Sequence, residues 1–240
     1  MGETILKVSG MSKTYGRFTA LKDVAFSIRS NELVGLIGPN GAGKTTVFDC
    51  LAGVQPADRA EVTFKGTPLD AKQRPSVLFY VPDGIAPWPE QSVERALEFS
   101  LDFLGGRRTL YPDVVTQLEL NTLLRIRMGA LSKGQRKRAL LGLGLLSPQP
   151  ILLIDEPFEG LDLRQTKQAM AALRQHVTGG RTLFVSIHQI AEAARICDRL
   201  ILLNAGRTVA EGTAAELTEL AAQRISGAPV DFEEVFLALT

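Results

Sequence analysis

Short apolar segments alternate with longer amphipathic segments along most of this chain. The apolar runs predict buried strands at residues 33–37, 77–81, 151–154, 182–187 and 200–203. Between several of these runs, apolar positions recur at helical spacing, as in residues 164–177 and 190–197. Strands that alternate with helices predict a mostly parallel sheet with right-handed crossover connections.

The two ends of the chain follow other patterns. Alternating apolar and polar positions predict short strands at residues 5–8, 24–28 and 61–65, which we expect to form an antiparallel β region. Near the other end, a short strand at 208–211 is followed by helical patterns at 214–223 and 232–239.

A block of helical patterns interrupts the strands between residues 91 and 146. Glycine or proline pairs break it at Gly105-Gly106, Tyr111-Pro112 and Met128-Gly129. We therefore expect one domain over residues 1–240, with a catalytic α/β core at 1–86 and 148–240 and a helical subdomain at 87–147.

Composition narrows the range of functions. The chain has 240 residues, of which 45% are hydrophobic, and a net charge of +1, so no global field favours nucleic acid. We expect the basic runs at residues 107–108 and 136–138 to be solvated, and Cys50 and Cys197 to be buried thiols. The first residues lack the features of a signal peptide, and the longest mainly apolar stretch is too short to span a membrane. We expect that the chain does not itself cross a membrane.

The most specific chemistry follows the strand at residues 33–37, where the sequence reads GPNGAGKTT. This matches G-x-x-x-x-G-K-[ST] between a strand and a helix, a pattern whose backbone N–H groups surround a phosphate. The lysine reaches the β- and γ-phosphates, and the following hydroxyl can hold Mg²⁺. The nucleotide-binding residues predicted from this loop are Gly38, Pro39, Asn40, Gly41, Ala42, Gly43, Lys44, Thr45 and Thr46. The fold class is therefore α/β, with a P-loop NTPase core, a mostly parallel sheet, the N-terminal antiparallel β region and the inserted α-helical subdomain.

Three further sets of residues have positions in the sequence that fit a nucleotide-binding site. The strand at residues 151–154 ends in Asp155 and Glu156, which we expect to hold Mg²⁺ and to polarise the attacking water. His188 follows the strand at 182–187; taken alone it is either a surface histidine or a contact to the γ-phosphate. Ser132 has the position of a helix N-cap, which by itself marks an ordinary helix start.

Taken together, these residues resemble the ATP-binding subunit of an ABC transporter. Residues 38–45 match the Walker A motif, 151–155 match Walker B, and 131–135 (LSKGQ) resemble the signature usually written LSGGQ. Residues 160–162 resemble the D-loop and His188 the switch histidine. The signature followed by Walker B is specific to this family, and the resemblance covers essentially the whole chain. The ending at residues 230–237 also resembles bacterial exporters with separate ATPase and permease chains.

The resemblance implies roles for individual residues. Glu156, His188 and Lys44 are the expected catalytic residues; Thr45 and Asp155 are expected at Mg²⁺, with Asp83 as a third candidate. Tyr15 would stack on adenine. The signature residues Ser132, Gly134 and Gln135 would bind the ATP held by a second ATPase subunit, either an identical or a related chain. ATP and Mg²⁺ are the expected ligands, and the chain would lie peripherally at the cytoplasmic face of the cell membrane, on an integral membrane permease.

Two residues depart from the family pattern. Lys133 replaces the first glycine of the signature, and we expect function to be retained because Ser132 and Gly134 remain. Asp83 stands where the Q-loop glutamine is usual; it is shorter, charged and has no amide donor. We expect it to couple the nucleotide site to the membrane subunit either imperfectly or differently. Nearby Trp88 either covers a loop or contacts that subunit.

Other functions compete with transport. A soluble ABC ATPase that acts on a ribosome or on DNA usually carries two cassettes or a long coiled-coil insert, and this chain has neither. A P-loop kinase would leave residues 131–135 unexplained. The sequence therefore favours an ATPase that powers transport, with no nucleic acid partner.

Overall fold

The computed structural model describes residues 2–224 and 231–240. Four strands form an antiparallel sheet in the order β2-β1-β4-β5: β1 (Thr4–Tyr15), β2 (Phe18–Arg29), β4 (Arg59–Phe64) and β5 (Thr67–Pro68). The predicted N-terminal antiparallel region is thus confirmed, and its first two strands are each 12 residues long, well beyond the predicted lengths.

A second sheet has six strands in the order β10-β9-β3-β8-β7-β6. They are β3 (Leu33–Ile37), β6 (Leu78–Val81), β7 (Ile151–Ile154), β8 (Thr182–Ile187), β9 (Arg199–Asn204) and β10 (Arg207–Gly212). Every neighbouring pair is parallel except β9 and β10. Because β3, β8 and β7 are adjacent and parallel, their carboxyl ends meet at one edge, where ligands bind in such sheets.

Nine helices are assigned within residues 2–224 and 231–240. They are α1 (Lys44–Ala52), α2 (Arg74–Val77), α3 (Val93–Leu104), α4 (Tyr111–Gln117), α5 (Lys133–Leu146), α6 (Leu163–Thr178), α7 (Ile190–Ile196), α8 (Ala214–Ala222) and α9 (Phe232–Leu239). None of those helices has the length and apolar character that a membrane crossing requires. Of the C-terminal segment compared with exporters, Val230 lies outside the described residues.

The parallel sheet is buried on both faces. Along β3, Val34 and Leu36 join an apolar core with α1, α2 and the antiparallel sheet, whereas Leu33 and Ile37 join a second core with helices α3 to α9. This alternation follows the two-residue period of a strand. It explains why the predicted bounds of β3 agree with the observed ones: each of its five residues is buried and apolar or glycine.

The helical block contains three α-helices, α3, α4 and α5. The predicted boundary at Tyr111-Pro112 coincides with the start of α4, because proline fits the first helical turn, where its missing N–H has no partner to lose. The prediction that the basic run 136–138 is solvated was wrong: Lys137 and Arg138 are buried, and Arg138 donates to the Leu118 carbonyl oxygen. Helix α5 also packs against β6 and β7, so the division at residues 87 and 147 stays a prediction.

Candidate functional site

The loop between β3 and α1 has the backbone geometry of a tight cradle. A Cβ at Gly38 would lie 2.2 Å from the carbonyl oxygen of Leu203, so only glycine fits there. Gly43 has φ 106°, a conformation that favours glycine, and it immediately precedes α1. The Lys44 ammonium donates to the Gly38 carbonyl oxygen over 2.8 Å. The predicted strand, glycine-rich loop and helix are therefore present in that order.

Asp155 is held at the end of β7 through both carboxylate oxygens and its main chain. The Thr45 hydroxyl donates to Oδ2 over 2.8 Å, and the Ser186 hydroxyl donates to Oδ1. The Asp155 N–H donates to the Val81 carbonyl oxygen over 2.9 Å. The side chain is buried. These contacts fix the direction of the carboxylate and set it beside the N-terminus of α1.

Sequence reasoning did not find Ser186. Its side chain is fully buried, and its Oγ accepts a hydrogen bond of 2.9 Å from the N–H of Glu156 while its hydroxyl donates to Asp155. One hydroxyl thus positions two consecutive acidic residues. The available signal was a polar residue inside an otherwise apolar buried strand, two positions before His188.

Glu156 lies between a histidine and a lysine. Its Oε2 is 2.7 Å from Nδ1 of His188, and its Oε1 is 4.0 Å from Nζ of Lys44. Burial lowers the pKa of the Lys44 ammonium, although the carboxylates of Glu156 and Asp155 act in the opposite direction. The backbone of Glu156 has φ 48°, which is uncommon outside glycine. The structure therefore brings together the three residues predicted to be catalytic.

These groups line one open cavity of about 500 Å³. Most of the predicted site residues contribute to it: Asn40, Gly41, Gly43, Lys44, Thr45, Thr46, Asp83, Asp155, Glu156 and His188. Three other residues that were not predicted also line it: Phe18, Ala20 and Glu159. The predicted residues that do not line it are Tyr15, Gly38, Pro39, Ala42, Ser132, Gly134 and Gln135.

Two aromatic residues flank the turn between β1 and β2. Tyr15 and Phe18 are paired across the turn, and both are exposed, at 44% and 64%. The Lys13 ammonium lies 5.1 Å from the centre of the Tyr15 ring. Only Phe18 of this pair lines the cavity. The adenine-stacking role of Tyr15 stays a prediction, and Phe18 is the alternative that the sequence reasoning missed.

The LSKGQ segment forms the start of α5. The Ser132 hydroxyl oxygen accepts from the Gln135 N–H over 3.3 Å, and the Gln135 side chain accepts from the Ser132 N–H over 2.9 Å. This capping box confirms the predicted N-cap. Lys133 forms an ion pair of 2.5 Å with Glu159, and a Cβ at Gly134 would lie 2.5 Å from the Gly160 carbonyl oxygen. Residues 132–135 therefore pack closely against the loop that follows Glu156.

Asp83 lies in the loop after β6 and is paired rather than free. Its Oδ1 accepts from the Lys137 ammonium over 2.5 Å. Burial by itself raises the pKa of Asp83, but the hydrogen bond and the charge of Lys137 outweigh it and leave the pKa below its usual value. The role of Asp83 at Mg²⁺ stays a prediction, and its partner in the structure, Lys137, was expected in solvent.

Beyond Asp83 the same loop leads to an exposed aromatic cluster. The Trp88 ring is 5.2 Å from that of Phe99, which stacks on Phe103 at 5.5 Å. These rings border an apolar groove of about 350 Å³, which Ile85 and Pro87 also line. Trp88 is 44% exposed, and its contact with a membrane subunit stays a prediction. A groove of this kind is suited to an apolar partner.

The chain matches known proteins in sequence and in fold. Residues 21–159 match the family model described as ABC transporter. The chain is 33% identical over 225 residues to the Nod factor export ATP-binding protein I of Rhizobium etli, covering 90% of this chain and 70% of that protein. It is 32% identical over 235 residues to the hemin import ATP-binding protein HmuV of Thermobifida fusca, covering 90% and 79%. A solved structure of the ATP binding subunit of an ABC transporter superposes with a TM-score of 0.87 at 26% identity, covering 98% of this chain and 99% of that one.

Proposed function

The chain belongs to the ABC transporter family as an ATP-binding subunit, and from that premise we propose how its own residues bind and hydrolyse ATP. The activity is hydrolysis of ATP to ADP and phosphate, which powers transport through a separate membrane permease. The assignment of residues rests on one observation: the same cavity is lined by Lys44, Thr45, Asp155, Glu156 and His188.

The cradle residues bind the phosphates. Backbone N–H groups of the loop 38–43 and the N-terminus of α1 face the β- and γ-phosphates, and Lys44 supplies a positive charge. Thr45 and Asp155 present a hydroxyl and a carboxylate that already converge to 2.8 Å, and such oxygen donors suit Mg²⁺. The metal, when bound with ATP, neutralises charge on the β- and γ-phosphates.

Glu156 acts as the general base in this proposal. Its carboxylate accepts a proton from the water that attacks the γ-phosphorus. His188 lies 2.7 Å away and holds the carboxylate in place from the side opposite to Lys44. The hydrogen bond from the Glu156 N–H to Ser186 fixes the main chain at this unusual φ. The base is thereby oriented before ATP binds.

The second half of the site comes from another ATPase subunit. Ser132, Gly134 and Gln135 do not line the cavity of their own chain, yet they form the capped N-terminus of a 14-residue helix. A helix N-terminus attracts anions. We infer that it faces the γ-phosphate bound by a second copy or a related chain, and that the two subunits close around ATP and open after hydrolysis.

The aromatic cluster of Trp88, Phe99 and Phe103 is the proposed contact with the permease. It is apolar and exposed, and the loop that leads to it begins beside the nucleotide cavity. Aromatic anchors of this kind carry much of the energy of protein interfaces. The subunit then lies at the cytoplasmic face of the membrane. Export is the proposed direction. It is supported by the resemblance of residues 230–237 to exporters and by the similarity to the Nod factor export protein, whereas the similarity to the hemin import protein does not support it.

Purification of the tagged chain from native membranes, with identification of co-purifying proteins, tests this assignment. An integral membrane protein should co-purify in a fixed ratio and be lost when Trp88 and Phe99 are both changed to Ser. Val54, an exposed apolar residue outside the groove and the nucleotide cavity, provides the control, because Val54→Ser should retain the partner. Co-purification with ribosomes or nucleic acid, and with no integral membrane protein, would favour the soluble ABC ATPase instead.

A further inference from the structure

Lys137 carries a buried positive charge beside the nucleotide cavity. Its side chain is only 2% exposed, and it lies on α5 five residues after the N-cap Ser132. Its ammonium donates to Oδ1 of Asp83 over 2.5 Å and to the main-chain oxygen of Asp155 over 3.2 Å. A buried ammonium is costly unless its charge is paired and its N–H groups are bonded. Both conditions are met here.

The two groups that Lys137 contacts belong to different parts of the site. Asp83 lines the nucleotide cavity and begins the loop that leads to the Trp88 cluster. Asp155 directs its carboxylate at Thr45. A single ammonium on the signature helix therefore connects the loop after β6 with the end of β7.

The charges that face the cavity show why this contact matters for ATP. Four carboxylates line the cavity, those of Asp83, Asp155, Glu156 and Glu159, against the single ammonium of Lys44. Such an excess of negative charge opposes the binding of a triphosphate. Lys137 offsets the charge of Asp83 at 2.5 Å; the lysine side chain is 2% exposed and the aspartate side chain 31%, so solvent screens the pair only in part.

We propose that Lys137 is a positioning residue of the ATP site, which neutralises Asp83 and holds the Asp155 main chain so that the cavity accepts the triphosphate and its metal. The pair takes the place of the uncharged glutamine that the family usually has at residue 83. This inference rests on the proposed function. It assigns the buried pair two separable effects, one on ATP affinity through charge and one on metal affinity through geometry.

Three variants of the full chain separate the two effects. Lys137→Met removes the ammonium and keeps the unbranched, apolar part of the side chain, Asp83→Asn removes the carboxylate charge, and the double variant removes both. ATP affinity is measured by titration calorimetry without metal, and stability by thermal unfolding without nucleotide. The Mg²⁺ concentration that gives half-saturation is measured by a fluorescence titration with Mg²⁺ in the presence of ATP. Lys167→Met, which changes an exposed lysine on α6, is the matched control.

Lys137→Met should weaken ATP binding about tenfold, because Asp83 is left as an uncompensated charge, and should lower the unfolding temperature. The double variant should regain ATP affinity to within about threefold and regain stability, because no buried charge is unpaired. Its Mg²⁺ half-saturation should stay raised about fivefold, since the Asp155 carbonyl oxygen has lost its contact with Lys137. Lys167→Met should match the wild type in all three measurements.

If the pair has only a structural role, the double variant should regain stability, ATP affinity and Mg²⁺ affinity together. That result overturns the proposal. Unchanged ATP affinity in a folded Lys137→Met variant also overturns it. If Lys137→Met does not fold, the double variant still decides, because wild-type Mg²⁺ half-saturation in it removes the positioning role. Lys44→Ala is measured in parallel. If it retains full ATP binding, the proposed function itself fails; if it loses binding while the Lys137 variants do not, only this inference fails.

Discussion

The Thr45 hydroxyl donates a 2.8 Å hydrogen bond to the Asp155 carboxylate across 110 residues of sequence. Thr45 is the second residue of α1, and Asp155 follows β7. The contact exists because the parallel sheet sets the ends of β3, β8 and β7 side by side. Every group assigned to the chemistry of ATP hydrolysis within one chain follows one of these three strands.

Ser186 is expected to control the geometry of both acids at this edge. Ser186→Ala leaves the Glu156 N–H without its partner and removes one donor from Asp155, both in a buried setting. Turnover at saturating ATP should fall about tenfold or more, with a smaller change in ATP affinity, because groups that orient catalytic and metal-binding residues have effects of this size. Steady-state ATPase assays over a range of ATP and Mg²⁺ concentrations measure this. Ser186→Cys keeps a side chain of similar size with a weak donor, so its turnover should lie between those of the wild type and Ser186→Ala. Wild-type turnover in Ser186→Ala would show that Ser186 does not orient the two acids.

The adenine platform is tested by comparing two aromatic residues. Tyr15→Ala should weaken both ATP and ADP about tenfold, since stacking of a base on an aromatic ring contributes about 1–3 kcal/mol. Inorganic triphosphate has no base, and its binding should not change. Competition titrations with the three ligands provide the measurement. If Phe18→Ala carries the loss and Tyr15→Ala does not, the ring that lines the cavity is the platform, and the prediction for Tyr15 is wrong.

The signature should tolerate a change at residue 133 and not at residue 134. Lys133→Gly removes an ion pair with Glu159 that is largely exposed, so ATPase activity should stay within about threefold. Gly134→Ala instead places a methyl group 2.5 Å from the Gly160 carbonyl oxygen and must displace the start of α5. Its activity should fall at least about tenfold, because small displacements of a binding group strongly reduce turnover. Loss of activity in Lys133→Gly but not in Gly134→Ala would reverse this assignment.

The regular elements were predictable where local pattern alone determines them. Strands β3, β7 and β8 are short, apolar and buried on both faces, and their predicted bounds were confirmed. Helix α9 likewise has the predicted bounds, because its apolar stripe and the N-cap Asp231 are both visible in the sequence. The positions of the site residues at the ends of these strands were then predictable from the parallel arrangement of the strands.

Contacts between distant segments were not predictable from the sequence. Lys137 was expected in solvent because a basic run normally lies there, yet its partner Asp83 is 54 residues earlier in the chain and reaches it only in the folded protein. Glu159 and Phe18 enter the cavity for the same reason, through the path of their loops. Ser186 was overlooked because its role depends on the neighbouring strand.

His176 should make stability depend on pH. Burial, with the nearby charges of Arg181 and Arg107, lowers its pKa in the folded chain to about 4, against about 6.5 when unfolded. The unfolded chain therefore binds more protons between these values, so this contribution to stability is complete above about pH 6.5 and is lost as the pH falls toward 4. The loss amounts to about 3 kcal/mol. The free energy of unfolding, measured in denaturant at several values between pH 7 and 4.5, should fall less steeply with decreasing pH in His176→Gln than in the wild type. An equal dependence on pH in the two proteins would contradict the assignment.

Glu156 is assigned as the base of an ATPase whose site is completed by a second subunit. The most direct measurement is ATP turnover of the purified Glu156→Gln variant, with ATP binding and molecular mass determined in the same sample. We predict that binding is retained, that turnover falls at least about a hundredfold, and that the variant with ATP accumulates as a closed dimer. Glu159→Gln, a change of another acid that lines the cavity, serves as the control and should retain most turnover. Turnover near the wild-type rate in Glu156→Gln would contradict the account.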